Sequence, residues 1–477
     1  MSFQDMLNIQ SINEGRSQEY RDYFRAKRTV RNTSIMAPPE LRDAYWTKVS
    51  YCRLACQVIN ERIDLDSVTA SSADATVFIN SVLEVNGGAD LVARADIAAM
   101  EYGRSYLVPT GSDRDDGLPM VQVVTGRDMV HRINAYTGEL TEALQTFGWS
   151  RDRYVYWNRE SQIRLTLIQH KGERFPDATV VFPPTDDFKT NDQYPGFFVK
   201  IEALDGEIPV FPIMCRGEDD NTFGRPEAKD IFGLQDAGIR VTTDLVITSA
   251  SMGSPKHVLL GAEFSDFAEH DADGEPIPGT EPSAEELYTS RVLTISDSAA
   301  RIAEFSAAQL QNFTTALNSI TRNVASTMGI PLSVFGVASD ANPSSGDAMT
   351  QDDKRLIRRA ETLTRGFEPG YRDLFRYLLE AEGFGTQTVV LRWTDPSLPN
   401  LAGRADAVLK LSTIKDANGN SVYTWQELRR MLGDPESEIR QAEDDRELTN
   451  IQTLLNEPPT PNGVPTNEQG TSPESGG

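Results

Sequence analysis

The sequence predicts an α+β protein, because strand-like and helix-like patterns occupy separate blocks of the chain. Residues 104–215 read as short apolar runs separated by Gly, Asp, Asn and Pro, which is typical of a β-rich region with polar turns. Helical spacing precedes this block and returns after it, in two long patterns over 224–253 and 305–329. With 477 residues and 39% hydrophobic content, the chain can build more than one core.

The N-terminal segment is basic. Residues 16–62 hold ten Lys or Arg against five Asp or Glu, which indicates either a solvated helix face or an arm that binds a partner. Residues 44–63 have the apolar spacing of one helix face, and residues 74–100 form a second helical region for which Gly103 is a plausible stop.

The β-rich block contains eight strand-like runs. In chain order they are SYLVP, MVQVVTG, DMVHRI, RYVYW, QIRLTLIQH, TVVF, FFVKIEAL and IPVFPIMC.

The two long helical patterns have apolar stripes suited to packing. In 224–253, Ile231, Leu234, Val241, Leu245 and Met252 fall at heptad spacing, and 305–329 has a stripe with three- and four-residue spacing. We predict a packing seam formed by Leu234, Val241, Leu245, Leu310, Leu317 and Val324.

The second long helix is polar but nearly uncharged. Its other faces carry Gln, Asn, Thr and Ser, and Arg322 is its only charge after Glu304. Surface helices usually carry Glu and Lys at such positions. An uncharged polar face therefore indicates a surface shared with another chain, or one that lines a lumen.

An acidic insertion separates the two helices. Residues 255–297 begin and end with strand-like runs, PKHVLLG and RVLTISD, and have nine Asp or Glu between Lys256 and Arg291 with no Lys or Arg. After the second helix and a short loop, residues 344–383 read as a long helix with Ser344 or Ser345 as its cap and Pro369 as a kink.

The C-terminal part is predicted to contain one strand and two short helices before a polar tail. These are TVVLRW, LAGRADAVLKLSTI and TWQELRRML, and the sequence from Asp434 onward has the composition of disorder.

Composition excludes several classes of protein. A net charge of -25 argues against a protein that grips DNA, since phosphate binding needs clustered Lys and Arg. Neither a signal peptide nor an apolar run near 18 residues is found, so no membrane insertion is expected. Cys52, Cys56 and Cys215 have neither disulfide nor zinc spacing and are predicted to be small core residues of a cytoplasmic protein.

Catalytic and cofactor motifs are absent from the sequence. It has no GxSxG, HExxH, GxGxxG or GxxxxGK[ST], and the lack of the last removes an ATP-driven motor from consideration. His131 and His170 are interpreted as ordinary sheet residues. No cofactor, no metal site and no enzymatic activity are predicted.

Two acidic stretches resemble calcium loops only in part. HDADGE at 270–275 is favoured as a solvated acidic turn. DANGNSVYTWQE at 416–427 has Ser421 where a calcium loop needs Gly, and Thr424 with Glu427 is favoured as a capping box that opens a helix.

Four segments, in this order, resemble the portal proteins of tailed bacteriophages, in the branch common among long-tailed phages. They are IPVFPIMC, then FGRPEAKDIFGLQDAGIRVTTDL, then GIPLSVFG, then NPSSGDAMTQDDKRLIRRAE. The resemblance extends over roughly 40–430.

The resemblance implies a portal fold with a β-rich wing, two long stem helices, a small clip, a long channel-to-wing helix and a helical crown. Its segments are a basic arm at 1–43, the wing at 44–223, stem helices at 224–254 and 298–330, the clip at 255–297, a tunnel loop at 331–345, the long helix with a return strand at 346–394, the crown at 395–433 and the acidic tail at 434–477.

The resemblance also implies a function and partners. Portal proteins form a ring, usually of twelve copies, at one capsid vertex, which conducts double-stranded DNA in packaging and ejection. The expected partners are further copies of the chain, DNA, the terminase, the head–tail adaptor, and the major capsid or scaffold protein, without a membrane. The expected place is the virion, after assembly in the cytoplasm of the bacterial host.

The loop 331–345 is the expected contact with DNA, through Leu332, Ser333, Val334, Phe335, Asp340 and Asn342. Its Pro331, Pro343 and Ser344 would fix the two ends. From the loop alone, an ordinary connection whose apolar residues pack in a core is the alternative. The clip residues expected to contact terminase and adaptor are Lys256, His257, Glu263, Asp266 and Arg291.

Two other functions remain open from the sequence. One is a different virion subunit, such as an adaptor or capsid protein, although two long helices flanking a clip-sized insertion favour a portal. The other is an acidic hydrolase that would use paired carboxylates such as Asp271 and Asp273.

Overall fold

The protein is described by a computed structural model, which defines residues 3–28, 47–111, 117–147, 152–169, 187–204, 206–215, 223–252, 256–260, 277, 301–305, 310–337, 346–397, 401–415, 421–432, 434, 438–439, 441–443 and 445–446. The chain divides into two units, residues 1–396 and residues 397–477. Helices and sheets are both present, so the α+β prediction is confirmed as a mixed helix and sheet fold.

Helices dominate the N-terminal part. In chain order the elements are α1 (Phe3–Phe24), α2 (Tyr51–Asn60), β1 (Leu65–Ala70), α3 (Ala73–Val85) and α4 (Ala89–Tyr102). The predicted helical region at 74–100 is thus two helices, divided where Gly87 and Gly88 take positive φ values of 99° and 55°. Helix α1 buries Phe3 and Met6, while Arg16 and Arg25 are exposed as the solvated-face interpretation expects.

The β-rich block forms two antiparallel sheets. The first contains β2 (Arg104–Thr110), β3 (Met120–Thr125) and β10 (Phe211–Met214) in the order β10-β2-β3. The second contains β4 (Met129–Ile133), β5 (Leu140–Phe147), β6 (Arg153–Asn158), β7 (Ile163–Gln169), β8 (Lys189–Thr190) and β9 (Phe197–Ala203), in the order β4-β5-β6-β7-β9-β8.

Strand β5 was not predicted, although it is central in the larger sheet. Its sequence, LTEALQTF, contains the run Glu-Ala-Leu-Gln, four residue types that form helices well, and Glu and Ala are depleted in strands. Pairing with β4 and β6 on its two sides buries five consecutive residues, from Glu142 to Thr146. Tertiary context therefore overrides local propensity here. The predicted strand TVVF at 179–182 lies outside the described residues.

The long helices begin later than predicted. A 3-10 turn at Lys229–Ile231 leads into α5 (Phe232–Met252), which is followed by strands β11 (Lys256–Leu260) and β12 (Arg301–Phe305). These two strands pair with each other, so Phe305 ends a strand and does not start a helix. The second long helix, α6, spans Gln311–Met328.

A single helix and one strand complete the first unit. Helix α7 (Gly346–Ala381) is 36 residues long and contains Pro369. Strand β13 (Val389–Trp393) then pairs with β1, about 320 residues earlier in the chain, with Val68 opposite Leu391. This pairing ties the N-terminal helices to the end of the unit.

The described residues of the second unit include two short helices, α8 (Leu401–Ser412) and α9 (Trp425–Leu432), and further helical positions at 438–439, 441–443 and 445–446. The predicted capping box is confirmed at the start of α9. The Thr424 backbone N–H donates to Glu427 Oε2 at 2.8 Å, and the Glu427 backbone N–H donates to Thr424 Oγ1 at 3.2 Å. The other positions of the calcium-like loop, 416–420, lie outside the described residues.

The main core joins the helices to the three-stranded sheet. Aromatic residues of α7, including Phe367, Tyr371 and Phe375, are buried in it. Cys52, Cys56 and Cys215 are free and buried in the same core, as predicted. Burial raises the pKa of Cys52 to about 12 and raises that of Cys56 well above its usual value.

Candidate functional site

The candidate site is a junction of several elements that fixes the start of α5, the end of α6 and the loop that follows α6. It begins where two glycines bring backbone segments into contact. Gly103, after α4, and Gly224, before α5, have φ values of 86° and 68°. A Cβ atom on Gly224 would lie 2.7 Å from the Cys215 carbonyl oxygen, which no side chain could tolerate. The chain can therefore enter α5 here only with glycine.

Backbone hydrogen bonds fix this entry. Cys215 N–H donates to the Gly103 oxygen at 2.9 Å, and Arg225 N–H donates to the Cys215 oxygen at 2.9 Å. Glu227 N–H donates to the Met100 oxygen at 3.0 Å. The short stretch GRPE thus joins the end of α4 to the start of α5.

A fully buried carboxylate, Glu227, lies at the centre of the junction. Arg359 of α7 pairs with it through Nε, and the Cys215 thiol donates to its Oε2 at 3.7 Å. Removal of either partner of a buried ion pair leaves an uncompensated charge in the interior. The pair therefore links the start of α5 to the middle of α7.

The same arginine reaches the end of α6. Arg359 Nη1 donates to the carbonyl oxygens of Met328 at 2.8 Å and Thr327 at 3.2 Å. These carbonyls belong to the last turn of α6, where a positive charge is favourable to the helix dipole. One side chain of α7 thus holds the base of both long helices.

The loop after α6 leaves this junction in a defined turn. Gly329 ends the helix with φ 68°, and a 3-10 turn spans Leu332–Phe335. Ser333 and Val334 are exposed, whereas Leu332 and Phe335 are half-buried. The Phe335 ring meets the Tyr51 ring edge-on at 6.1 Å, so one apolar residue of the loop packs against the core. Asp340 and Asn342 lie outside the described residues.

Helix α5 is docked by polar residues that the apolar pattern could not identify. Gln235 accepts from Cys52 N–H at 3.0 Å and donates to the Tyr23 oxygen at 2.8 Å. Thr243 shares a hydrogen bond of 2.6 Å with Thr47. Each buried polar side chain is thus satisfied by α1 or by the chain before and within α2.

The buried stripe along α5 and the 3-10 turn before it does not coincide with the heptad positions that we predicted. Apart from Gly238, its buried positions recur every four residues, at Ile231, Gln235, Ile239, Thr243 and Ile247. Such a row is the i±4 ridge of a straight packed helix, not the a/d seam of a coiled coil. The predicted seam residues Leu234, Val241 and Leu245 are only half-buried beside this ridge.

On α6 the burial follows the predicted stripe more closely. Val324 and Met328 are buried, and Leu310 and Leu317 are half-buried. The opposite face is exposed and uncharged apart from Arg322; its other members are Gln311, Asn312, Thr314, Thr315, Ser319, Asn323, Ser326 and Thr327.

Of the predicted clip residues, only two fall within the described part of the chain. Lys256 and His257 lie on β11 opposite Phe305 and Glu304 of β12. Glu263, Asp266 and Arg291 lie outside the described residues, as do Asp271 and Asp273 of the hydrolase hypothesis.

Asp96 and His131 are two further buried titratable groups. The Tyr371 hydroxyl donates to Asp96 Oδ1 at 2.7 Å, and burial raises the pKa of Asp96 to about 8. His131 bonds the Tyr106 hydroxyl through Nδ1 at 2.7 Å, and burial with nearby Arg104 lowers its pKa to about 3. Both are structural members of the interior, and the interpretation of His131 as a sheet residue is confirmed.

The described residues offer no group of three or more His, Cys, Asp or Glu that could hold a metal ion. Among them, none of the helices has the length and apolar content needed to cross a membrane.

Sequence reasoning found the segments of the junction but not the contact that joins them. It singled out the GRPE stretch and the start of α7, but it assigned no partner to Glu227 and no role to Arg359. Glu227 lies between Pro and Ala, and nothing in the hydrophobic periodicity of this stretch indicates that its side chain is fully buried. A partner 132 residues away can be found only in three dimensions.

Comparison with known proteins identifies relatives over most of the chain. Residues 15–449 match the family described as "Phage portal protein, SPP1 Gp6-like". The portal proteins of Mycobacterium phage D29 and Mycobacterium phage L5 are 25% and 24% identical to this chain over 425 residues, which are 86% of this chain and 81% of each relative.

Solved structures of gene transfer agent (GTA) particles contain chains with a weaker likeness to this one. A chain in the "Virion of native gene transfer agent (GTA) particle" aligns with a TM-score of 0.46 and 14% identity, covering 80% of this chain and 89% of that one. A chain in the "Neck of native GTA particle computed with C12 symmetry" aligns with a TM-score of 0.45 and 13% identity, covering 81% and 89%. These likenesses are too distant to bear on function.

Proposed function

This chain belongs to the SPP1 Gp6-like family of phage portal proteins, and on that premise we propose that its copies form a closed ring at one vertex of the capsid. Portal proteins are structural components of the phage virion. The form we propose is a ring of twelve copies, assembled in the cytoplasm of the host. A head-to-tail interface of fixed geometry closes only for a fixed number of copies.

The proposed ring conducts double-stranded DNA during packaging and ejection. The observation that carries this is the exposed face of α6, where Arg322 is the only charged residue between Gln311 and Met328. Each Lys or Arg in a channel wall would add affinity for phosphate. A wall of amides and hydroxyls at the lumen would let a duplex move without being held.

The loop 331–345 is proposed to reach the DNA from the channel wall. Its exposed Ser333 and Val334 are free to touch a duplex. Leu332, Asp340 and Asn342 belong to the same loop and are proposed as further contacts. Phe335 would anchor the loop on Tyr51, while Arg359 holds the end of α6 from which it leaves. A fixed start followed by the exposed Ser333 and Val334 suits a contact that must adapt to a moving DNA duplex.

The half-buried seam residues are proposed to pack between neighbouring copies. Leu234, Val241 and Leu245 flank the buried ridge of α5 and are only partly covered within one chain. A second copy would remove their remaining apolar surface from water.

The region 255–297 is proposed as the clip, with Lys256, His257, Glu263, Asp266 and Arg291 facing the terminase and later the head–tail adaptor. Support comes from its place between α5 and α6 and from the antiparallel pair β11–β12 at its base. The wing is proposed to meet the major capsid or scaffold protein.

Native mass spectrometry with negative-stain imaging of the purified chain tests the ring. We expect a closed ring of about twelve copies with an axial hole. The Leu245→Glu variant should lose the ring and keep its helical circular dichroism, because it places a charge in the proposed interface. The Arg240→Glu variant, changed at an exposed position of the same helix, should keep the ring. A wild-type chain that stays monomeric over a range of salt concentrations would contradict the proposal.

A further inference from the structure

A basic pocket lies beside the Gly103–Gly224 contact, with Gly224 in its lining. It has a volume of about 180 Å³ and is formed by α1, the start of β2 and the segment that leads into α5. Arg16, Arg104 and Lys229 line it, and its lining contains no Asp or Glu. The chain has 71 acidic and 46 basic residues, so its composition would not lead one to expect a pocket lined by three cations and no acid.

Arg104 carries a buried charge without a counter-charge. Its side chain is only 3% exposed, and its guanidinium bonds only neutral groups among the described residues. Nε donates to Tyr106 Oη at 2.7 Å, Nη2 to Asn13 Oδ1 at 2.7 Å and Gly126 O at 3.2 Å, and Nη1 to Phe223 O at 3.2 Å. A guanidinium does not lose its proton in a protein, so the burial of its charge is left uncompensated.

The other two cations are exposed at the pocket. Within the part of the chain that the structure describes, no carboxylate lies within 4.0 Å of the charged nitrogens of Arg16 or Lys229. Their side chains are therefore available to a ligand that enters from solvent.

The nearest acids are already used elsewhere. Asp230, beside Lys229, pairs with Arg225, and Glu227 pairs with Arg359. Glu101 is half-buried with Tyr102 as its hydrogen-bond partner, and the arginines that act on it are Arg21, Arg25 and Arg53. None of these carboxylates compensates Arg104.

We propose that this pocket binds an oxyanion, a phosphate or a carboxylate, between Arg16, Arg104 and Lys229. Guanidinium and ammonium groups form their strongest hydrogen bonds with such oxygens, and the Arg104 fork is held in place by its neutral partners. Because the pocket is also lined by Ile9, Ile12 and Phe223, an organic acid with a short apolar body fits as well as a bare anion. The site does not depend on ring formation.

Two sources could supply the oxyanion. One is a free anion from solution. The other is the acidic stretch Glu218, Asp219 and Asp220, which precedes Phe223 in the sequence and lies outside the described residues. The chemistry of the ligand is the same in both cases, and variants separate them.

Isothermal titration of the full chain with inorganic phosphate at constant ionic strength tests the first source. We expect one site per chain, weakened about tenfold or more in Arg16→Gln/Lys229→Gln, since loss of one charge-assisted contact alone lowers affinity by about that factor. The control Arg159→Gln/Arg164→Gln also removes two cations, but these pair with Glu139 and Glu202 at the larger sheet, so affinity should stay within about twofold.

The variant Glu218→Gln/Asp219→Asn/Asp220→Asn tests the second source. If these carboxylates occupy the pocket, the wild-type chain does not bind phosphate and this variant gains binding, which Arg16→Gln/Lys229→Gln removes again. Either pattern supports the oxyanion site. Absence of binding in both chains, or binding unchanged by Arg16→Gln/Lys229→Gln, overturns it. Ring mass, measured separately, reports on the proposed function alone.

Discussion

Among single residues, Asp96 has the clearest consequence for pH dependence. The structure buries it completely against Tyr371, and its pKa rises from 3.8 to about 8. Between these values the unfolded chain has lost the proton that the folded chain keeps. Stability should therefore fall as pH rises from about 4 to about 8 and then level off.

The Asp96→Asn variant should remove this dependence. Asn can still accept the Tyr371 hydrogen bond but cannot ionise, so its stability relative to wild type should increase by at most about 1.4 kcal/mol per pH unit over this range. Thermal unfolding at pH 5, 6.5 and 8 measures the trend. As a control, Asp192→Asn at an exposed position should leave the profile unchanged. A constant difference between Asp96→Asn and wild type at all three pH values would contradict a raised pKa.

The ion pair of Glu227 and Arg359 can be tested by a double-mutant cycle. Either Glu227→Gln or Arg359→Met alone should lower the free energy of unfolding by roughly 3–5 kcal/mol, since each leaves one buried partner uncompensated or unbonded. The double variant should cost clearly less than the sum. Urea denaturation measures all three. Additive losses would mean that the two side chains do not act on each other.

At the scale of elements, the contact between the end of α4 and the start of α5 depends on glycine. Gly224 and Gly336 have nearly the same backbone conformation, with φ values of 68° and 72°. Only Gly224 is crowded, because nothing lies within 4 Å of a Cβ atom on Gly336. Substitution of each of these two glycines therefore separates the free-energy cost of backbone strain from the cost of steric contact.

We expect Gly336→Ala to cost roughly 1–2 kcal/mol, which is the strain of a left-handed alanine. Gly224→Ala should cost several kcal/mol more, because its Cβ atom would clash with the Cys215 oxygen and break the hydrogen bond from Arg225 N–H to that oxygen. Chemical denaturation of both variants measures the difference. Equal costs would show that the backbone relaxes at the junction.

At the scale of the whole molecule, the uncharged face of α6 is the feature to alter. Ser319→Lys/Asn323→Lys adds two cations to exposed positions one turn apart. If this face lines the channel, the assembled ring should bind duplex DNA more tightly, with a steeper salt dependence, since each phosphate contact adds about -0.9 to the slope. Fluorescence anisotropy of a labelled duplex at several salt concentrations measures it.

The matched variant Ser161→Lys/Thr190→Lys adds the same two charges to exposed positions at the larger sheet, in the β6–β7 turn and in β8. It should change DNA affinity little if the wing lies outside the channel. Equal effects of the two double variants would indicate non-specific attraction by net charge, and the channel assignment of α6 would then be lost.

How much the sequence predicts depends on whether a feature is local. Start and stop residues act within a few positions, and this is why Gly103 at the end of α4 and the Thr424–Glu427 capping box were found. Strand β5 and the ridge at Gln235 and Thr243 were missed, because their residue types contradict the environment they occupy. Their hydrogen-bond partners come from other parts of the chain.

The sequence by itself determined the mixed class of the fold, most of the strands, the three long helices, the uncharged face of α6 and the resemblance to portal proteins. These follow from periodicity, composition and the order of short motifs, which need no knowledge of distant contacts. Only the tertiary structure decided that β1 pairs with β13, that Arg359 joins Glu227 to the end of α6, and that Arg104 is buried beside Arg16 and Lys229. Each of these is a contact between residues far apart in the chain, and its energy comes from burial and charge that exist only after folding.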